Sequence, residues 1–412
     1  MERRRFNIGL VGSVSNGKTT LVERLSGVNT KRHAAERKAG RTVKLGYANL
    51  LLWQCPTCTF LTTTGQTTTH CACPQCPATA CTVAFELSLV DAPGHSALVK
   101  TMVRGTSVMD GALVVTDVTQ VPHQRQTLEH LAILEILGVT RVLVIQNKCD
   151  LVPRATCWAH WQELTRQFQG TIAAQAAVIP ICAQRGLGVT GVMAPLHQMC
   201  LNLQRDATLA PPSPYQGFAI LRSFDINKPD TSVRDLKGGV LGGSMVGSQP
   251  LHVGDAIEIR PGWIQADRSA RALETSVHTI FAEQQALQSC SAGGLFALGT
   301  NLDPTVTKGD RLVGHIAGRP EHLPPVVHGH TLKIVYVTVE SSAAPLKLAV
   351  DQAYHFLWGH AVVPGVVIAT SGKHTVQVRY DHPLCTYADR CIIYGKAAAT
   401  GLVGLVGFGK VQ

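Results

Sequence analysis

Gly12-Ser13-Val14-Ser15-Asn16-Gly17-Lys18-Thr19 decides the reading of this chain. It matches G-x-x-x-x-G-K-[ST], follows the β-branched run Ile8 to Val11, and opens a helical pattern from Lys18 to Leu25. A strand, a glycine-rich turn and a helix in that order form a phosphate cradle. The glycines let the backbone approach, and successive N–H groups from Ser15 to Thr20 face the anion at a helix N-terminus. Lys18 reaches the β- and γ-phosphates, and the Thr19 hydroxyl supplies a magnesium ligand.

Outward from this stretch, short apolar runs alternate with helical patterns as far as Leu203. The runs are Leu87 to Asp91, Ala112 to Val118, Val142 to Gln146 and Val178 to Cys182, with a helical pattern from Gln124 to Leu137. This predicts an α/β domain over residues 1–205, its mostly parallel sheet carrying helices on both faces. Two further motifs stand at strand ends. Asp91-Ala92-Pro93-Gly94-His95 offers a carboxylate toward magnesium and a glycine amide toward a γ-phosphate. Asn147-Lys148-Cys149-Asp150 offers a carboxylate that accepts two hydrogen bonds from guanine N1 and its exocyclic amine, a pairing that adenine lacks. GTP and GDP are the expected ligands, with Cys182-Ala183-Gln184 after the last strand closing the guanine side. Thr42 is the second candidate hydroxyl for magnesium, and His95 the candidate that orients attacking water.

The linker and barrels follow from composition. Asp206 to Gln216 contains Pro211-Pro212-Ser213-Pro214 and is expected to end the helical pattern, making 206–216 an interdomain linker. Beyond it, short strand patterns separated by glycine predict two β-barrels, over 217–323 and 324–412, divided near Pro320 to Pro325.

Cysteines mark an insert over 53–82. Cys55-Pro56-Thr57-Cys58 and Cys73-Pro74-Gln75-Cys76 are separated by fourteen residues, a spacing that suits a structural zinc knuckle, with Cys71 and Cys81 as competing thiols. The segment between the pairs is too polar to hold itself by burial, so metal would supply folding free energy.

The composition fits these readings. Of 412 residues, 45% are hydrophobic and 16% charged, which excludes disordered and fibrous classes. A net charge of +10 favours a polyanionic partner. No apolar run reaches the ~20 residues of a membrane span, so a soluble, cytoplasmic protein is expected.

With these motifs in place, the sequence resembles the gamma subunit of eukaryotic and archaeal translation initiation factor two. The likeness continues through Arg222-Ser223-Phe224-Asp225-Ile226-Asn227-Lys228-Pro229, Asp235-Leu236-Lys237-Gly238-Gly239-Val240 and Gly404 to Gly409. The resemblance implies a GTPase that binds initiator methionyl-tRNA in its GTP form and delivers it to the small ribosomal subunit. It also implies alpha and beta subunits in a heterotrimer, activating and nucleotide-exchange factors, and no membrane partner. Tyr47, Asn49 and Lys237 are the residues it suggests for the tRNA surface. A selenocysteinyl-tRNA elongation factor is the nearest alternative, for whose further C-terminal domain no residues are expected after Gln412. A non-hydrolysing RNA- or ribosome-binding module is the alternative of another class. Three positions depart from the family pattern: Arg41 for isoleucine, Asn16 for histidine and Cys182 for serine. Arg41 bears on the gating of hydrolysis.

Overall fold

The computed structural model describes residues 5–30, 45–65, 70–76, 79–95, 98–120, 125–209, 215–337, 348–372, 374–396 and 403–412. Two compact units make up the chain, Met1–Ala210 and Pro211–Gln412. Arg41 and Thr42 lie outside the described residues, as do residues 210–214 of the expected linker.

The first unit is a seven-stranded sheet. Its strands are β1 (Arg5–Val11), β2 (Gly46–Gln54), β3 (Leu61–Gly65), β4 (Thr82–Asp91), β5 (Gly111–Asp117), β6 (Val142–Asn147) and β7 (Val178–Pro180). In space they run β3-β2-β4-β1-β5-β6-β7. The block from β4 to β7 is parallel, whereas β2 pairs antiparallel with both β4 and β3. Its helices are α1 (Lys18–Ser26), α2 (Val99–Thr106), α3 (Arg125–Ile136), α4 (Arg154–Gln167) and α5 (Met193–Leu209). Every residue of β5 and β6 is buried, which requires cover on both faces of the sheet. On one face, Phe6, Ile8 and Leu10 pack with Leu21, Val22 and Leu25 of α1 and with Leu196, Met199 and Cys200 of α5.

Sequence and structure part at three places. Helix α5 continues through Asp206, Ala207 and Thr208 to Leu209, three residues beyond the expected start of the linker. Proline removes an amide and disfavours helix only from the residue before it, so 206–209 stay free to extend the helix before Pro211. The last strand stops at Pro180, and Cys182 instead pairs with Leu187 in an isolated bridge. Asn49, suggested for a tRNA surface, is buried in β2, which has neighbours on both sides in the sheet. Tyr47 is half-buried on the same strand, and Lys237 is exposed.

The second unit holds two antiparallel barrels. Strands β8 (Gly217–Phe224), β9 (Val240–Val246), β11 (Ala256–Ile264), β12 (Ala270–Ala282), β15 (Phe296–Thr300) and β16 (Ile316–Gly318) run β11-β16-β8-β9-β15-β12, and pairing of β12 with β11 closes the ring. Between them, β10 (Leu251–His252) pairs with β14 (Ser289–Cys290), and β13 (Gln285–Leu287) extends β12 as a hairpin. The second barrel closes as β17 (Val326–Tyr336), β20 (Thr375–Cys385), β19 (Ala361–Ser371), β18 (Ala353–Trp358), β21 (Arg390–Lys396) and β22 (Val403–Val411). Phe218, Ile220 and Phe296 fill the first interior, and Tyr354, Phe356, Trp358 and Tyr380 the second. The proline-rich joint is pinned from both sides. Arg260 donates to the carbonyls of Leu323 and Pro324, each at 3.1 Å, and the Cys385 thiol donates to Pro324 at 3.3 Å.

Candidate functional site

The phosphate loop turns from β1 into α1 through a backbone that few residues tolerate. Ser15 has a φ of 65° and stands exposed at the tip, while Gly17 has a φ of 91°. A Cβ on Gly17 would lie 2.3 Å from Nδ2 of Asn147, so glycine is required there by contact as well as by conformation. Lys18, buried at the start of α1, donates through Nζ to the carbonyls of Gly12 and Ser13, both at 2.8 Å. Burial lowers its pKa to about 8, against the opposing attraction of Asp91.

Asp91 ends β4 fully buried, and its Oδ2 accepts from the hydroxyls of Thr19 at 2.7 Å and Thr30 at 2.8 Å. Gly94 presses on the loop: a Cβ there would sit 2.6 Å from the Gly12 carbonyl and from Lys18 Nζ. Oxygen donors Thr19 and Asp91, beside the phosphate loop, form a hard set that suits magnesium. His95 follows half-exposed, its carbonyl accepting the Leu98 amide at 2.8 Å. Thr20 continues α1, half-buried.

At the turn Asn147 to Asp150, Asn147 is the link. Its Nδ2 donates to the Asn16 carbonyl at 2.8 Å, and its Oδ1 accepts from the Ala183 amide at 3.0 Å. The Asn16 side chain itself reaches back to the Val115 carbonyl at 2.8 Å. Lys148 takes a φ of 64° and pairs with Asp117 at 2.5 Å. Burial alone would raise the Asp117 carboxyl, but hydrogen bonds from Lys148 and Thr119 outweigh it and hold the group below the ordinary carboxylate range. Asp150 faces Arg185 at 3.3 Å and contacts the buried Cys182 thiol, whose sulfur accepts the Arg185 amide at 3.4 Å. Arg24 of α1 donates to the Ala183 carbonyl at 3.0 Å and also to that of Gln184.

The structure therefore brings Asn16, Gly17, Lys18, Thr19, Asp91, Gly94, Asn147 and Ala183 into one connected set. Three participants escape a reading of the sequence. Asp117 carries a faint signal, a carboxylate ending an apolar strand. Thr30 and Arg24 carry none, since their partners lie 61 and 159 residues away.

In the insert, the sulfurs of Cys55, Cys58, Cys73 and Cys76 all lie within 4.8 Å of one another, with Cys58 and Cys73 at 3.5 Å. A tetrahedron with Zn–S bonds of ~2.3 Å needs sulfurs about 3.8 Å apart, so the four thiols fit zinc. Burial opposes the Cys55 thiolate, yet the amides of Thr57 and Cys58 bring its pKa down to about 7. Cys71 and Cys81 face each other across a short antiparallel bridge, the Cys81 amide donating to the Cys71 carbonyl at 2.8 Å.

Comparison with known proteins places these features in context. Residues 3–205 match the family described as Elongation factor Tu GTP binding domain. The translation initiation factor 2 subunit gamma of Aeropyrum pernix is 35% identical over 416 aligned residues, covering 98% of this chain and 97% of that protein. The protein of the same name from Methanothermobacter thermautotrophicus is 39% identical over 361 residues, covering 83% and 84%. Among solved structures, a bacterial selenocysteine-specific elongation factor superposes with a TM-score of 0.74 at 18% identity, covering 99% of this chain and 58% of that one. At that identity the likeness speaks for the fold.

Proposed function

The chain belongs to the family of translation initiation factor 2 gamma subunits and is a translational GTPase, and from that membership we propose that it carries initiator methionyl-tRNA, in its GTP form, to the small ribosomal subunit. The observation that carries this reading is the connected set around Asn147, found in a chain that aligns with the gamma subunits over almost its whole length.

Asp150 takes guanine through N1 and the exocyclic amine, with Asn147 fixing the distance from base to phosphates. The loop amides from Ser15 to Thr20 and the Lys18 ammonium neutralise the β- and γ-phosphates. Thr19 and Asp91, with Thr42 as a further ligand, would hold magnesium, which when bound would offset charge on the phosphate oxygens. Gly94, already against the phosphate loop, senses the γ-phosphate through its amide, and His95 orients the attacking water. Loss of the γ-phosphate frees Gly94, and the tRNA is released. Zinc on Cys55, Cys58, Cys73 and Cys76 is structural, because four thiolates leave no open coordination position.

The alpha and beta subunits complete a heterotrimer in the cytoplasm, with activating and exchange factors acting on the nucleotide. No helix among the described residues is long and apolar enough to cross a membrane. The test pairs two measurements: binding of initiator methionyl-tRNA with GTP or GDP bound, and single-turnover GTP cleavage on small ribosomal subunits. Tight tRNA binding in the GTP form alone, with cleavage above background, supports the proposal. Preference for selenocysteinyl-tRNA, or no cleavage above background, overturns it.

A further inference from the structure

Two cysteines outside the zinc cluster meet behind the guanine-recognition turn. Cys149 stands between Lys148 and Asp150, with its thiol donating to the Gln146 carbonyl at 3.2 Å and its amide donating to the Ile181 carbonyl at 3.1 Å. Cys157, in the first turn of α4, directs its thiol at the Cys149 carbonyl, 3.7 Å away, which sets the two cysteine side chains beside each other. Both residues are partly exposed, whereas Cys182, Cys200, Cys290, Cys385 and Cys391 are buried.

We propose that Cys149 and Cys157 form a disulfide under mild peroxide oxidation and that this bond weakens guanine-nucleotide binding. The pairing rests on the guanine-site reading given above only for its effect on affinity. Burial, with Cys157 beside it, pushes the Cys149 thiol up to about 12, so the first attack falls to Cys157. The Cys157 thiolate displaces hydroxide from hydrogen peroxide, giving a sulfenic acid. Cys149 then attacks that sulfur, forming the S–S bond and releasing water. The two thiols lose two electrons in all, and the peroxide is reduced to water.

The bond would withdraw Cys149 Sγ from the Gln146 carbonyl and tie the turn to α4. Lys148 and Asp150, its immediate neighbours, would shift with it. Loss of one charged hydrogen bond to the base corresponds to about a tenfold fall in affinity.

The experiment treats the purified full chain with hydrogen peroxide, maps disulfides in non-reduced digests by mass spectrometry, and measures the Kd of a fluorescent GDP analogue. Zinc release is followed in parallel, which separates oxidation of the four-cysteine cluster. The expected result is a Cys149–Cys157 cross-linked peptide and a Kd raised about tenfold, restored by dithiothreitol. Cys157→Ser and Cys157→Ala should bind like the wild type when reduced and hold that affinity through oxidation. Absence of the cross-linked peptide, or an equal loss of affinity in the Cys157 variants, overturns the proposal. Failure of the reduced wild type to bind GDP would count against the guanine-site reading and leave the cross-link to be judged by the digest.

Discussion

The side-chain amide of Asn147 donates to the main-chain carbonyl of Asn16 at 2.8 Å, joining the base-recognition turn to the phosphate loop. The same side chain accepts from Ala183 at 3.0 Å, so one buried residue sets the spacing of three loops. Asn147→Ala would leave a buried carbonyl and a buried amide without these partners, each costing ~1–3 kcal/mol. The expected outcome is a loss of about 10²-fold in affinity for GTP and GDP alike, read by titration calorimetry. A loss confined to one nucleotide would show that Asn147 does not act through loop spacing.

Asp150 tests base identity separately from affinity. Asp150→Asn turns the carboxylate oxygen that faces the guanine 2-amine into a donor, while the other oxygen still accepts from N1–H, and guanine binding should fall on the order of 10⁴-fold. Xanthine presents a carbonyl where guanine has its amine, so the variant should gain xanthosine nucleotides while the wild type ignores them. Competition binding with the four combinations of protein and nucleotide checks this.

How far the sequence alone reaches depends on whether a feature is local. The phosphate loop and the turn Asn147 to Asp150 were legible because each is a short run whose φ values and strand-end position follow from its own residues. The barrels were legible as a class for the same reason. What stayed hidden depends on distant partners. Thr30 reads as an ordinary loop residue until the fold sets it against Asp91, and nothing in Leu21 to Ser26 marks Arg24 as the support of Ala183 and Gln184. Strand β18 shows the other failure. Tyr354, Phe356 and Trp358 alternate toward the core, but His355 and the glycine at 359 break up a short run that a sequence pattern alone does not single out.

The depressed pKa of Lys18 gives a pH signature. Its folded value, about 8, lies below the ordinary lysine value of 10.5, so the unfolded chain binds the proton more tightly. Stability of the nucleotide-free protein therefore gains from this group as pH rises from about 8 to 10.5. Bound phosphates favour the charged ammonium, so nucleotide binding should take up about half a proton near pH 8. Affinity should fall about fivefold between pH 8 and 9. Calorimetry in buffers of different ionisation enthalpy measures the uptake directly; none at pH 8 would remove Lys18 from the phosphate contacts.

Zinc content separates the six clustered cysteines. The four sulfurs of Cys55, Cys58, Cys73 and Cys76 lie mutually within 4.8 Å, and the Cys71–Cys81 pair is not among them. Elemental analysis should find one zinc per chain in the wild type, and one also in Cys71→Ser and Cys81→Ser. Cys73→Ser should lose it or bind it weakly enough to surrender it to a chelator. Retention in Cys73→Ser with loss in Cys81→Ser would reassign the ligands.

His95 is the residue proposed to orient the attacking water. It follows Gly94, whose position against Gly12 and Lys18 puts the turn at the end of the phosphate loop where a γ-phosphate would lie. A group that only orients water contributes to the transition state and not to nucleotide binding, so its removal should separate the two. His95→Ala is expected to bind GTP and GDP as the wild type does, while single-turnover cleavage on small ribosomal subunits falls by about 10²-fold or more. His95→Gln, which keeps a polar side chain able to hold water, should recover part of the rate. An unchanged cleavage rate in His95→Ala would move the water-positioning role to another residue, and a parallel loss of GTP affinity would mark His95 as a structural support of the turn.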